Sequence, residues 1–421
     1  MARRHFLHDV IESRMCTGCG SCSVLCKAQA ITMNINIREG IFLPSLNNEK
    51  CTYCGKCQIV CPALDFEHLN KNYSQDVLLG DYKKCYAGYS TDLQVRKKSS
   101  SGGLISEILF FLINEKVIDG AIVTKMNHRN PLLPEPFIAK SVDDISLSSG
   151  SKYCPVPLNT ALRQANDSNN YAYVGLPCHI KGLRKIQSLI SLKTELVLGI
   201  VCNHTPTLNS IEFVMSTLSV SDKMISKISF RGGGWPGEML IQLHDGNEIA
   251  IPYHSELYWG FIYSWFFWPK RCSVCKDKIC SNADISFMDA WHQNYSKDKK
   301  GTSFIIVRND HANYLIKKAV QKGKIYLKEI DPEEIIESQK MNIYYKTVDK
   351  RRAYLKTIDS NFRSLFKEGN ININIENICF DLNSFIFYLR NSLNNSRKYW
   401  PIINNLRKLA VLYKNLKNKL N

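Results

Sequence analysis

Eight of the chain's 16 cysteines fall in two copies of one short rhythm, and nothing else in the sequence constrains the fold as tightly. The first copy is Cys16-x2-Cys19-x2-Cys22-x3-Cys26, and the second is Cys51-x2-Cys54-x2-Cys57-x3-Cys61-Pro62. Spacings this short wrap a backbone around a cubane, so three thiolates of a run reach three irons while the fourth ligates the neighbouring cluster. The expected ligand sets are Cys16, Cys19, Cys22 and Cys61 for one 4Fe-4S cluster, and Cys51, Cys54, Cys57 and Cys26 for the other. Gly18, Gly20 and Gly55 suit a backbone packed against inorganic sulfur. Paired CxxC groups also build structural zinc sites, but the four-cysteine rhythm repeated twice is far more specific for iron–sulfur. Cys26 departs from the pattern in being followed by Lys27 rather than proline.

Abundant cysteine means disulfides in a secreted chain and metal or redox chemistry in a cytosolic one. The N-terminus runs from Met1 through Arg3 and Arg4 into Asp9 and Glu12 with no apolar core of a secretion signal. No apolar stretch reaches the ~18 residues of a membrane span; the nearest runs from Leu257 to Trp268. A cytoplasmic protein is the expectation. The formal charge of +17 is mostly a property of the end of the chain, where Met341 to Asn421 holds 15 Lys and Arg against 5 acidic residues. No nucleic-acid-binding motif accompanies that charge, so no nucleic-acid partner is expected. A peripheral contact of the tail with an anionic membrane or an acidic carrier fits better.

Composition divides the chain into residues 1–80, 81–340 and 341–421. The expected fold class is an α+β two-cluster ferredoxin domain, then an α/β domain, to which the resemblance given below adds flavin binding, then a basic, mostly helical extension. In the middle region, Ser99 to Gly103 precedes an apolar periodic segment, Leu104 to Ile113, which reads as a helix capped by serine. Ile118 to Val123, Tyr171 to Val174 and Leu196 to Val201 read as strands, with helices starting near His179 and Thr207. In sheets of this kind ligands collect at loops beyond strand C-termini. Cys178 and Cys202 stand at such loops. Gly232-Gly233-Gly234-Trp235-Pro236-Gly237 satisfies GxGxxG but precedes a hairpin, Met239 to Leu243 and Ile249 to Ile251, so it is no dinucleotide fingerprint. It reads as a mobile loop over the cofactor, with Arg231 and Trp235 as substrate contacts.

Several motifs resemble, in order, one family. They are Ser100-Ser101-Gly102-Gly103, Gly150-Ser151-Lys152-Tyr153, Leu176-Pro177-Cys178-His179-x2-Gly182-Leu183-Arg184-Lys185, Gly199-Ile200-Val201-Cys202 and Arg271-Cys272-x2-Cys275-Lys276, followed by Ala283-Asp284-Ile285. The chain resembles the coenzyme F420 hydrogenase/dehydrogenase beta subunit family over about residues 80 to 310, with a ferredoxin segment in front as in bacterial members. The resemblance implies FAD and a third cluster held by Cys178, Cys202, Cys272 and Cys275, with Cys280 an extra thiol able to replace one of them. Cys85, Cys154 and Cys379 match no ligand pattern and read as buried free thiols.

Adjacent glycines at a helix start let backbone N–H groups approach a phosphate, which gives Ser100, Ser101, Gly102 and Gly103 a flavin-binding role. Lys152 and Tyr153 are expected at the pyrophosphate and the isoalloxazine. His204 is the candidate proton donor. Asp284 and Asp289, with Trp291, are expected to orient the cluster loop, and the aromatic run from Tyr258 to Trp268 to shield the cluster from water.

The expected function is an iron–sulfur flavoprotein oxidoreductase. It would pass electrons between a redox partner protein, three clusters, FAD and an organic substrate, either a small or carrier-linked molecule such as a sugar-linked one, or a deazaflavin. The alternative is an electron-transfer subunit whose chemistry lies in a partner chain.

Overall fold

The computed structural model describes residues 5–64 and 78–339, apart from 265, 266, 274 and 276. The basic extension and Cys379 lie outside the described residues. At the N-terminal end, helix Phe6–Glu12 leads into the first cysteine run, which contains the short helix Ser21–Val24. Strands β1 (Ile31–Asn36) and β2 (Ile41–Leu46) then form an antiparallel hairpin, and helix Lys56–Ile59 carries Cys57. Both helices start from a glycine in the left-handed region, Gly20 at φ +83° and Gly55 at φ +75°. That conformation strains any side chain. It places glycine at the same point of each run.

The remaining strands are β3 (Lys84–Ser90), β4 (Gly120–Met126), β5 (Pro134–Ala139), β6 (Tyr171–Gly175), β7 (Thr194–Ile200), β8 (Ile225–Gly232), β9 (Glu238–Leu243), β10 (Glu248–Pro252), β11 (Ile285–Asp289), β12 (Ser303–Val307) and β13 (Ile325–Glu329). Eight of them make one sheet, ordered β13-β3-β12-β11-β7-β6-β4-β5. Its centre is parallel, with β11, β7, β6 and β4 running together, while β12, β3, β13 and β5 join antiparallel at the two sides. The alternation expected from the sequence gives the parallel centre. The sides escape it because β3 finds β12 more than 200 residues later, and no local pattern encodes such a pairing.

Alternate residues of the central strands enter different cores, as the pleat requires. Ala172, Leu196 and Leu198 face one side with helices Leu104–Asn114 and Asp310–Gln321; Tyr171, Tyr173 and Val197 face the other with helix Pro177–Gln187. Helix Leu104–Asn114 begins where expected, but no serine caps it. Its N-cap is Gly103 at φ +79°. Gly102 is required by proximity, since a Cβ there would lie 2.6 Å from the Gly88 carbonyl oxygen. A smaller antiparallel sheet, β10-β9-β8, contains the expected hairpin.

Candidate functional site

The two N-terminal runs bring their thiols together in crossed fashion. Cys61, from the second run, sits within electrostatic range of Cys16, Cys19 and Cys22, while Cys26 of the first run neighbours Cys57, as Cys54 does. Burial pushes the thiol of Cys16 up to about 12 and those of Cys57 and Cys61 up to about 11. Cys54 is the exposed member, and a hydrogen bond from the Lys56 N–H is the main influence lowering its pKa. Backbone N–H groups already point at sulfur, from Gly18 to Cys16 at 3.4 Å, from Tyr53 to Cys51 at 3.4 Å and from Ala30 to Cys26 at 3.2 Å. Such N–H to sulfur bonds favour thiolate and tune iron–sulfur potentials. Among the described residues, no three His, Cys, Asp or Glu side chains converge as ligands of a single ion would. The crossed thiols, with backbone N–H groups aimed at their sulfur, are the donor chemistry that a cubane cluster takes.

The second thiol group is assembled from distant pieces. Cys178 opens helix Pro177–Gln187 just past β6, Cys202 follows β7, and Cys272 and Cys275 sit around the short helix Lys270–Ser273. All four line one cavity of about 210 Å³, together with Cys16 and Pro62 of the N-terminal segment. Cys178 lies in electrostatic range of Cys19 as well as of its three companions. Cys280 is different. It is fully buried in the core beside helix Pro177–Gln187, its thiol donates to the Ile200 carbonyl at 3.0 Å, and it does not line the cavity. Cys178 and Cys202 nevertheless lie within its electrostatic range. Cys85 and Cys154 are buried away from both groups.

A larger cavity of about 380 Å³ opens at the carboxyl ends of the parallel strands, lined by Thr124 of β4, Gly175 of β6, Ile200 of β7 and Asp289 of β11. Ser100, Ser101, Gly103, Lys152, Tyr153 and His204 all line it, and Gly102 is tucked behind, its N–H donating to Ser303 Oγ. The two cavities share a wall made of Val156, Leu176, His179 and Cys202 to Thr205. A cavity of this size at strand C-termini is where open α/β sheets bind ligands.

Details differ from the sequence expectation. Ser101 Oγ donates to the Thr302 carbonyl, so that hydroxyl has no proton left for a phosphate, whereas Ser100 Oγ accepts from the Ser151 N–H and keeps its own. Lys152 Nζ turns back onto the carbonyls of Ser148, Ser149 and Gly150 beyond helix Val142–Leu147. Burial lowers its pKa to about 7. His204 stacks on Trp268 at 3.7 Å, and its Nε2 bonds the Ile262 carbonyl at 2.5 Å. Burial lowers its pKa to about 3.

Arg231 stands in β8 rather than in a loop, and it lines the larger cavity. It is buried in an ion pair with Asp289 at 2.7 Å, and Trp235 packs on Trp291 at 4.5 Å, its backbone N–H donating to the Lys299 carbonyl. Asp284 ties β7 to β11, accepting from the Val197 N–H at 2.7 Å and from Arg184 at 3.0 Å. Within the aromatic run Tyr258, Phe261, Phe267 and Trp268 are buried, Tyr263 is exposed, and Trp265 and Phe266 lie outside the described residues.

The pattern of the coenzyme F420 hydrogenase/dehydrogenase beta subunit, C terminus, matches residues 168–333, and that of its N-terminal part matches residues 85–163. Both cavities lie within this span, apart from Gln339 of the larger one and the N-terminal residues that border the smaller one. The chain belongs to this family. In front of it, a 4Fe-4S dicluster domain matches residues 15–64. Among family relatives, the coenzyme F420 hydrogenase subunit beta of Methanothermobacter thermautotrophicus is 25% identical over 61% of this chain and 87% of its own. The same subunit of Methanosarcina barkeri is 24% identical over 66% of this chain and 96% of its own. A coenzyme F420-dependent sulfite reductase of Methanocaldococcus jannaschii is 25% identical over 82% of this chain and 52% of its own. A solved chain of the F420-reducing NiFe hydrogenase complex of Methanosarcina barkeri shares the fold, with a TM-score of 0.52 and 24% identity over 67% of this chain and 96% of that one.

Sequence reasoning missed the contacts that dock the dicluster segment on the family domain. Asn159 donates to Ser21 Oγ at 2.7 Å and to the His179 carbonyl, while its backbone N–H bonds the Cys19 carbonyl at 3.0 Å. Arg163 donates to the Ser23 carbonyl, and Lys185 to that of Cys61 at 3.1 Å. Gly182, quoted above only as a motif glycine, is where the two meet. A Cβ there would stand 2.0 Å from Ser21 Oγ. Its position in an amphipathic helix was the one available signal.

Proposed function

We propose that the chain is an iron–sulfur flavoprotein oxidoreductase. Cys16, Cys19, Cys22 and Cys61, then Cys51, Cys54, Cys57 and Cys26, would hold two 4Fe-4S clusters; Cys178, Cys202, Cys272 and Cys275 would hold a third; the larger cavity would take FAD. The observation that carries this reading is the line of contacts: Cys16 borders the cavity of the second thiol group, and Cys202 borders both that cavity and the larger one. Bound there, FAD would supply the exchange between single electrons and the electron pairs that organic substrates take.

The chain's own residues do the rest. Gly103, at the N-terminus of helix Leu104–Asn114, and the Ser100 hydroxyl are placed to meet a phosphate. Tyr153, Tyr253, Tyr263 and Trp291 form an aromatic side of the cavity, and the Arg231–Asp289 pair fixes its floor. His204, stacked on Trp268, stands in the wall between the cavities. A redox partner protein would supply or remove electrons at the dicluster segment. The substrate is expected to be a small or carrier-linked organic molecule.

Anaerobic purification with iron, sulfide and flavin counted per chain tests the reading. About twelve irons with one flavin support it, since each cubane holds four. About eight irons without flavin would reduce the chain to a dicluster protein with an appended domain. A second reading, an electron-transfer subunit with the chemistry in a partner chain, is favoured by the naming of several relatives as beta subunits. Stable co-purification of a larger subunit, with no turnover by the isolated chain, would select it.

A further inference from the structure

Three Lys or Arg side chains are buried among the described residues: Arg96, Arg231 and Lys278. Arg96 is paired with Asp298, and Arg231 with Asp289. Lys278, 1% exposed, has no carboxylate at ion-pair distance among the described residues. Among the described residues its ammonium donates to two carbonyls, those of Asn203 and Cys272. An ammonium removed from water without a counter-charge is strongly unfavourable, so a buried cation of this kind implies a negative partner that the protein atoms do not supply.

The surroundings say where that partner sits. Cys272 and the neighbour of Asn203, Cys202, belong to the thiol group of the smaller cavity. The Cys202 N–H donates back to the carbonyl of Lys278 at 2.9 Å. Three charged residues line the cavity, Lys181, Arg271 and Asp277, so its lining already carries a positive excess, to which the buried Lys278 adds from behind. Lys185 stands in a comparable place by Cys61, but it is only half-buried, and solvent screens it.

We propose that Lys278 is the built-in counter-charge of the cluster at Cys178, Cys202, Cys272 and Cys275, tying two ligand loops together and raising the reduction potential of that cluster. The proposal rests on the reading of those cysteines as ligands. Reduction adds one electron to the cluster and breaks no bond, and the added negative charge falls next to a fixed positive one. The oxidised cluster, carrying less negative charge, gains less. Lys278 does not line the cavity, so it is a positioning residue that acts through charge. Its effect is to favour electron arrival at the cluster that borders the flavin cavity.

The test is an EPR-monitored redox titration of the anaerobically purified full-length chain and of Lys278→Gln and Lys278→Arg, with iron counted in each. The expected result for Lys278→Gln is full iron content and one midpoint, not three, moved to more negative potential. The shift should lower the reduced-to-oxidised ratio of that cluster at least tenfold, about 59 mV for one electron, while Lys278→Arg stays near the parent chain. Loss of about four irons in Gln but not in Arg also supports the proposal, because charge is what separates the two variants. An unmoved midpoint in an iron-replete Gln chain overturns it, as does equal loss of iron in both. A parent chain with only two clusters would instead defeat the ligand reading beneath it.

Discussion

The dicluster segment and the strand-end thiol group are built by opposite means. In the first, eight cysteines come from 46 residues of chain, and their spacing is the site. In the second, four cysteines span Cys178 to Cys275 and meet only because β6 and β7 are parallel neighbours and the turn at Cys272 folds over their ends. The first group keeps one thiol, Cys54, exposed, whereas the second lies between the docked segment and the larger cavity. Local spacing makes a site at a surface, where a partner can reach it. A tertiary site can be placed next to the chemistry.

The contrast can be broken most forcefully at Cys202, which borders both cavities. Cys202→Ala should remove about four irons and abolish reduction of bound flavin by an external one-electron donor, with the dicluster segment still reducible; unchanged flavin reduction in stopped-flow traces would sever the proposed line. Cys54→Ala should also lose about four irons, from the exposed end, and leave the flavin bound. Iron and flavin assays read this directly, and disappearance of the flavin would mean that the two regions are not separable.

Smaller effects test how the regions are joined and strained. Gly182→Ala forces a methyl against Ser21 and Asn159. Overpacking of this kind costs about 1–3 kcal/mol, so the thermal midpoint should fall and transfer from the dicluster segment should slow, with the iron content unchanged. A parent-like midpoint would show that the docking face is loose. Within the dicluster segment, the first run has Gly18 where the second has Tyr53, and both take positive φ, +68° and +52°. Tyr53→Gly should relieve a left-handed strain of roughly 1 kcal/mol, seen as slower loss of iron on air exposure. Faster loss would mean that Tyr53 shields the exposed cluster site more than it strains it.

The sequence by itself determined the iron–sulfur character, the parallel strands and the family, because each rests on local order: cysteine spacing, short apolar runs between turns, and motifs in fixed succession. Gly103, Tyr153 and Lys152 were legible as neighbours of one cavity for the same reason. The directions of their side chains were not. Lys152 turns to its own backbone, Ser101 bonds Thr302, and Arg231 pairs with Asp289, because hydrogen-bond and charge partners are settled by segments distant in sequence. Only the tertiary structure decided that Cys202 stands in the wall between two cavities, that Gly182 receives Ser21, and that Lys278 is buried without a carboxylate. A residue's chemical type is written in the sequence; the field it feels depends on which strands become neighbours and how much water they exclude.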